Sequence, residues 1–213
     1  MIHIKSFTFN PFQENTYLLI NESNECIIID PGMYSASEQM ELDSYITSKN
    51  LKPIMLINTH CHIDHIFGNN YCVNKYNLQL QSHEKEIEVL NSGFFTSKSY
   101  GLNYDPSPQI ELFLKENQTI NFGDSTLKVL FTPGHSPGSV SLYSKENHFV
   151  IVGDALFYQS IGRTDLPGGN HQTLINSIES QLMTLPDKTS VMSGHGPITN
   201  IGHERQFNPF LND

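Results

Sequence analysis

The stretch Thr59-His60-Cys61-His62-Ile63-Asp64-His65 follows directly on the apolar run Ile54 to Ile57 and puts four candidate metal ligands within six positions. A chain that gathers imidazoles and carboxylates at one point needs a scaffold whose strand ends converge, so this stretch limits the possible folds more than any other. Imidazoles at alternate positions leave a strand end on the same side, whereas Asp64 and His65, one turn later, can face a second ion. A lone pair of histidines one residue apart would mean little. The full H-x-H-x-D-H spacing is far more specific.

Three later segments repeat the pattern of an apolar strand that ends in a ligand. Leu127 to Phe131 leads into Thr132-Pro133-Gly134-His135, Phe149 to Val152 into Gly153-Asp154, and Val191-Met192 into Ser193-Gly194-His195. The resulting set is His60, His62, Asp64, His65, His135, Asp154 and His195. Seven such donors suit two divalent ions that share one carboxylate, with room for water or hydroxide between them. The nitrogen and oxygen mixture fits zinc, iron or manganese without choosing among them, and two divalent ions, zinc for preference, are the expected cofactors. A hydroxide held by two cations needs no side-chain nucleophile, because the cations acidify it and stabilise the oxyanion it forms on a carbonyl. Asp64 can orient that hydroxide while also binding metal. Ser139 and Ser141 lie near His135 but lack a nucleophile-elbow pattern, so a serine triad is not expected. His83 is expected to start or cap a helix, and His171 and His203 to be structural.

Lys and Arg total 12 against 22 Asp and Glu, a formal charge of -10, which disfavours nucleic-acid backbones as partners. Lys5, Asn10, Gln13 and Glu14 interrupt the first twenty residues, so neither a signal peptide nor a membrane span is expected there, and a cytoplasmic location follows. Cys26, Cys61 and Cys72 are odd in number and contain no CxxC pair, which suits reduced thiols. No break in composition suggests a linker, so residues 1–213 are expected to form one domain. Oligomeric state is left open.

Ile2 to Phe9, Thr16 to Ile20 and Glu25 to Ile29 read as an antiparallel opening sheet, closed by the turn Asp30-Pro31-Gly32. Ser35 and Glu38 have capping-box spacing for a helix to Lys49. Ile54 to Ile57 lacks alternation and reads as a strand covered on both faces. A helix near Asn70 to Tyr76, a strand at Leu78 to Gln81 and a helix from His83 to about Leu90 follow. Ser92 to Gln109 shows no clear period and reads as a loop. Its aromatics Phe94, Phe95, Tyr100 and Tyr104 either lid the cleft against the substrate or tuck into the core.

The ordered set THCHIDH, TPGHSPGS, GDALF, IGRTDLPGG and GHGP resembles the metallo-β-lactamase superfamily, and within it the glyoxalase II-like hydrolases in a compact form that lacks the C-terminal helical domain. The resemblance implies an α+β fold, a four-layer αββα sandwich. It places His60, His62 and His135 on one ion, Asp64, His65 and His195 on the other, and Asp154 between them. It implies hydrolysis of a small-molecule thioester, S-lactoylglutathione or a similar hydroxyacyl thioester. The thiol carrier stays open, since the glutathione contacts of that helical domain are not expected here. Asp154 stands where true β-lactamases of the superfamily carry Cys or Ser, which argues against antibiotic hydrolysis. His62 argues against the di-iron flavoproteins, which carry Glu there. Two relatives remain as alternatives: a persulfide dioxygenase with one ferrous ion on His60, His135 and Asp154, and a lactone hydrolase. A metal-binding module without catalysis is the non-enzymatic alternative. Arg163 and Asp165 are expected to form an outer shell that steadies the metal loops.

Overall fold

The structure, a computed structural model, describes residues 1–211. It divides into two compact units, Met1–Phe113 and the residues from Leu114 onward.

The first unit contains β1 (His3–Phe9), β2 (Glu14–Ile20), β3 (Glu25–Ile29), α1 (Ala36–Ser48), β4 (Lys52–Ile57), α2 (Ile63–Ile66), α3 (Asn69–Tyr76), β5 (Leu80–His83), α4 (Ile87–Ser99) and β6 (Leu112–Leu114), on whose last residue the second unit begins. Its sheet runs in the order β1-β2-β3-β4-β5-β6. The expected antiparallel opening is present, and β3, β4 and β5 then pair in parallel. Parallel pairing carries the ends of β3 and β4 to the same edge, so Asp30 and the segment beginning at Asn58 emerge side by side. Leu18, Ile28, Leu42, Leu56 and Ile66 are buried in the unit's core. The capping box of α1 is formed: Ser35 Oγ accepts from Glu38 N at 3.3 Å, and Glu38 Oε2 accepts from Ser35 N at 2.8 Å. His83 caps a short 3-10 turn ahead of α4, its Nδ1 accepting from Lys85 N.

The loop expected over Ser92 to Gln109 is corrected, because α4 continues to Ser99. Its inward residues are Leu90, Gly93 and Ser97, so beyond Leu90 the buried stripe is built of small side chains and the apolar period disappears from the sequence. The space at Gly93 is filled from outside the helix. A Cβ there would lie 3.1 Å from the Tyr104 ring and 3.2 Å from Ile66.

The second unit contains β7 (Thr119–Phe122), β8 (Ser125–Phe131), β9 (Val140–Ser144), β10 (Phe149–Gly153), β11 (Leu156–Phe157), β12 (Ser160–Ile161), α5 (His171–Ser177), β13 (Ser190–Ser193), β14 (Thr199–Asn200) and α6 (Ile201–Phe207). The sheet order is β14-β13-β10-β9-β8-β7, and β11 and β12 form a separate hairpin. β10 and β13 are parallel, and β9 is antiparallel to both β8 and β10. Strands β8, β10 and β13 therefore share one direction, and the residues that follow them leave from one edge. Val150, Leu156, Leu174, Ile178 and Val191 are buried in this unit's core.

Gly134 is where the turn after β8 meets α5. Its φ of +133° is a glycine conformation, and a Cβ would sit 2.3 Å from Leu174 N and 2.4 Å from Leu174 Cα. Gly134→Ala should cost roughly 1–3 kcal/mol or more in urea unfolding through overpacking. Gly101→Ala, also at positive φ but with nothing within 4 Å of the new methyl, should cost less.

Candidate metal centre

In the first unit the ligand-bearing loop is pinned by one carboxylate. Asp30, at the end of β3, accepts from Thr59 N at 2.7 Å through Oδ1 and from Thr59 Oγ1 at 2.6 Å through Oδ2. The same Oδ2 lies 3.2 Å from His65 Nδ1. Thr59 Oγ1 is also 3.2 Å from His60 Nδ1. One acid thus positions the strand end and His65, and through Thr59 reaches His60. The imidazoles cluster as a result, with ring centroids 4.8 Å apart for His60 and His62 and 4.1 Å for His60 and His65. His62 is the extended residue that precedes α2, whose first turn carries Asp64 and then His65. His65 Nε2 and Asp64 Oδ2 are 3.8 Å apart.

Backbone contacts complete the loop. Asn58 Nδ2 donates to His65 O, Cys61 N donates to the buried Glu86 carboxylate, and Asn10 Nδ2 donates to both Gly32 O and Asp64 O. Glu14, fully buried beside this network, accepts from Thr16 Oγ1 at 2.9 Å and lies 3.9 Å from His65 Nδ1. Burial pushes its carboxyl well above the usual range; the nearby imidazole opposes the shift and Asp30 adds to it.

In the second unit His135, Asp154 and His195 follow β8, β10 and β13. Asp154 Oδ2 is 3.5 Å from His135 Nε2 and 3.5 Å from His195 Nε2. Gly194 N donates to Gly153 O at 2.8 Å and locks the two parallel strand ends together. His135 Nδ1 pairs with Arg163 O at 2.8 Å, which leaves Nε2 on the side of Asp154. Phe157 stands edge-on to His195 at 6.2 Å.

These donors fit divalent metal. Two ligand atoms each about 2.1 Å from a tetrahedral ion lie about 3.4 Å apart, close to the two separations at Asp154 and longer than ordinary hydrogen bonds. The donors are imidazole nitrogens and carboxylate oxygens without thiolate, as borderline cations prefer.

The remaining expected residues fall as follows. Arg163 and Asp165 form a bidentate pair with each other at 2.7 and 2.8 Å, both exposed, and it is the Arg163 backbone carbonyl that reaches His135. Asp165 is held down to about 2 by that guanidinium. Phe94, Phe95 and Tyr100 are exposed on α4 and at its end. Tyr104 instead packs on Gly93 and edge-on to Phe67, and its hydroxyl accepts from Ser107 N. Ser141 is buried and bonded to Thr132 Oγ1, which occupies it structurally. Asp30, Glu14, Asn10 and Glu86 were not singled out in the sequence. Asp30 did carry a usable signal, an acid closing an apolar strand just as Asp154 does.

A family profile, the metallo-beta-lactamase superfamily, matches residues 9–195. The chain belongs to that superfamily, and with it to the metal-dependent hydrolases. The α+β class expected from the resemblance, the αββα sandwich, is the fold of that family. The chain is 41% identical to a probable metallo-hydrolase, YqgX, of Bacillus subtilis (strain 168), over 95% of this chain and 94% of that one. It is 32% identical to the hydroxyacylglutathione hydrolase GloC of Haemophilus influenzae, over 99% of each. A solved structure described as the BLEG-1 B3 metallo-beta-lactamase superposes with a TM-score of 0.89 at 36% identity, covering 99% of this chain and 100% of that one.

Two outcomes follow from this geometry. Asp30→Asn keeps the size but loses the acceptor pair for Thr59 and His65, and should weaken metal binding about 10–100-fold in chelator competition. Cys26, Cys61 and Cys72 are all buried, and burial pushes each thiol up, Cys26 to about 12. An aromatic disulfide reagent should therefore titrate almost no thiol in the native protein and all three after unfolding.

Proposed function

We propose that this chain hydrolyses a hydroxyacyl thioester, S-lactoylglutathione or a close analogue, using two divalent ions held by His60, His62, Asp64, His65, His135, Asp154 and His195. The observation that carries the reading is Asp154, one carboxylate oxygen equidistant from two imidazole nitrogens, the arrangement a shared ligand requires. The Haemophilus relative, named for hydroxyacylglutathione hydrolysis, supports the substrate class. Bound divalent ions, zinc first among them, supply Lewis acidity that polarises a carbonyl and acidifies water.

The protein's own groups hold the geometry for that chemistry. Asp30 and the Arg163 carbonyl fix the imidazole orientations, so the donor set is preorganised before substrate arrives. Asp64, partly exposed in the first turn of α2 and 3.8 Å from His65 Nε2, would serve as a ligand and orient the attacking water. A thiol has a pKa of about 8.5, so a thiolate leaves without a dedicated proton donor. That matches a site whose nearby serine is already engaged. Phe94, Phe95 and Tyr100 are proposed to meet the acyl or thiol portion of the substrate.

The likeness to BLEG-1 favours one second reading, cleavage of a lactam by the same attack on a carbonyl. Thiol release from S-lactoylglutathione by metal-loaded protein, run beside a chromogenic β-lactam, separates the two. The expected result is metal-dependent thiol release that Asp154→Ala lowers by more than the roughly 10–100-fold cost of losing an outer contact. Faster lactam turnover would move the assignment to the second reading. Absence of thiol release from fully metallated protein, with oxygen uptake on glutathione persulfide, would replace hydrolysis by persulfide dioxygenation.

A further inference from the structure

Helix α6 carries a buried acid that neither ligand set uses. Glu204 is fully buried within the second unit, and three donors satisfy it. Thr199 Oγ1 donates to Oε1 at 2.5 Å, while Gln159 N and Asn208 Nδ2 each donate to Oε2 at 2.9 Å. Asn208, also buried, donates in addition to Ser160 O at 3.0 Å. Burying a carboxylate is costly unless such bonds repay it, so the partners indicate what the acid holds. Two of the contacts from this pair, those to Gln159 N and Ser160 O, end on the β11–β12 hairpin.

That hairpin needs external support. Its ladder has two residue pairs, Leu156 with Ile161 and Phe157 with Ser160, and a ribbon that short is not stable alone. Gln159 at its tip has φ +52°, a left-handed backbone uncommon for this residue type, and the same Gln159 supplies the N–H that Glu204 accepts.

The hairpin also joins two parts of the metal centre. It leaves from Asp154 and returns as Gly162 and Arg163. A Cβ at Gly162 would lie 1.9 Å from Asp154 O and 3.0 Å from His135 Nδ1, so the returning chain passes against both ligands. One residue later, Arg163 O holds His135 Nδ1 at 2.8 Å. Where the hairpin sits decides where that carbonyl sits, and the carbonyl decides where His135 Nε2 points.

We propose that Glu204 is a positioning residue of the metal centre, its carboxylate fixing the β11–β12 hairpin so that the Arg163 carbonyl keeps His135 in its ligating orientation. The inference rests on the metal-centre reading above and is independent of which acyl substrate is cleaved. Glu204→Gln is the informative change, because it keeps the size and turns one of two acceptor oxygens into a donor that would face donors. Arg205 supplies the contrast. It lies on the same helix, yet its guanidinium bonds Met183 O, Leu185 O and Asp187.

The test uses the full chain loaded with cobalt(II), with affinity read by chelator competition and ligand geometry by the visible absorption bands. Glu204→Gln should weaken cobalt binding about 10–100-fold and alter the bands, with Asn208→Ala moving both in the same direction. Arg205→Ala should lower the unfolding midpoint and bind cobalt like the wild type. Wild-type affinity and spectrum in Glu204→Gln, whatever its stability, would overturn the proposal, and so would an equal change in Arg205→Ala. If Glu204→Gln does not fold, Asn208→Ala decides: an unchanged spectrum and affinity overturn the proposal, and a shift in both supports it. Wild type that binds no cobalt would overturn the metal-centre reading together with this inference. Wild type that binds cobalt normally but cleaves no thioester would overturn only the substrate assignment.

Discussion

The Asp30 carboxylate carries the ligand loop of the first unit. It takes two hydrogen bonds from Thr59 and stands 3.2 Å from His65 Nδ1, so the end of β3, the end of β4 and the short helix α2 are tied through one side chain. Parallel pairing of β3 with β4 makes this possible, because only then do the two strand ends lie together. An antiparallel neighbour would put the acid at the far end of the strand. The φ of +49° at Asp30 belongs to the same device, turning the chain at once so that the carboxylate faces its neighbour strand.

The second unit reaches a similar result by different chemistry. His135 is oriented by a backbone carbonyl, that of Arg163, and the carbonyl's place depends on a two-rung hairpin rather than on a central strand. A carbonyl cannot be removed by substitution, so sensitivity to mutation shifts outward to the groups that hold the hairpin. The exposed Arg163–Asp165 pair adds little to this in energy, since solvent screens such bridges.

What could be read from the sequence follows from which contacts are local. His60 to His65 lie within one loop, and each later candidate follows an apolar strand, so periodicity and spacing were enough to single out the seven candidates. The parallel β3–β4–β5 order was not legible, because nothing local says which neighbour a strand pairs with. Asp30 read as turn chemistry because its partners lie 29 and 35 positions further on. Glu204 was silent for the same reason, its hairpin contact lying 45 residues back. On α4 the difficulty was of another kind: the buried stripe uses Gly93 and Ser97, while Phe94 and Phe95 face outward, so apolar side chains and burial disagree. Tyr104 supplies from the following segment the bulk that the stripe lacks.

The buried acids explain why metal and fold should be coupled. Glu204 accepts from three donors, whereas Glu14, as deeply buried, accepts from Thr16 Oγ1 at Oε2 and is pushed well up by burial. Asp30 accepts from Thr59 and lies beside His65, and Asp154 lies between His135 and His195. Within the first unit Glu14 and Asp30 oppose each other's charge, and a cation beside them would relieve that cost. A ligand that binds only the folded chain adds stability as RT ln(1 + [L]/Kd), about 2.7 kcal/mol at a hundred times Kd. The carboxylates proposed to hold metal are thus ones whose charge the fold would hold less comfortably without it.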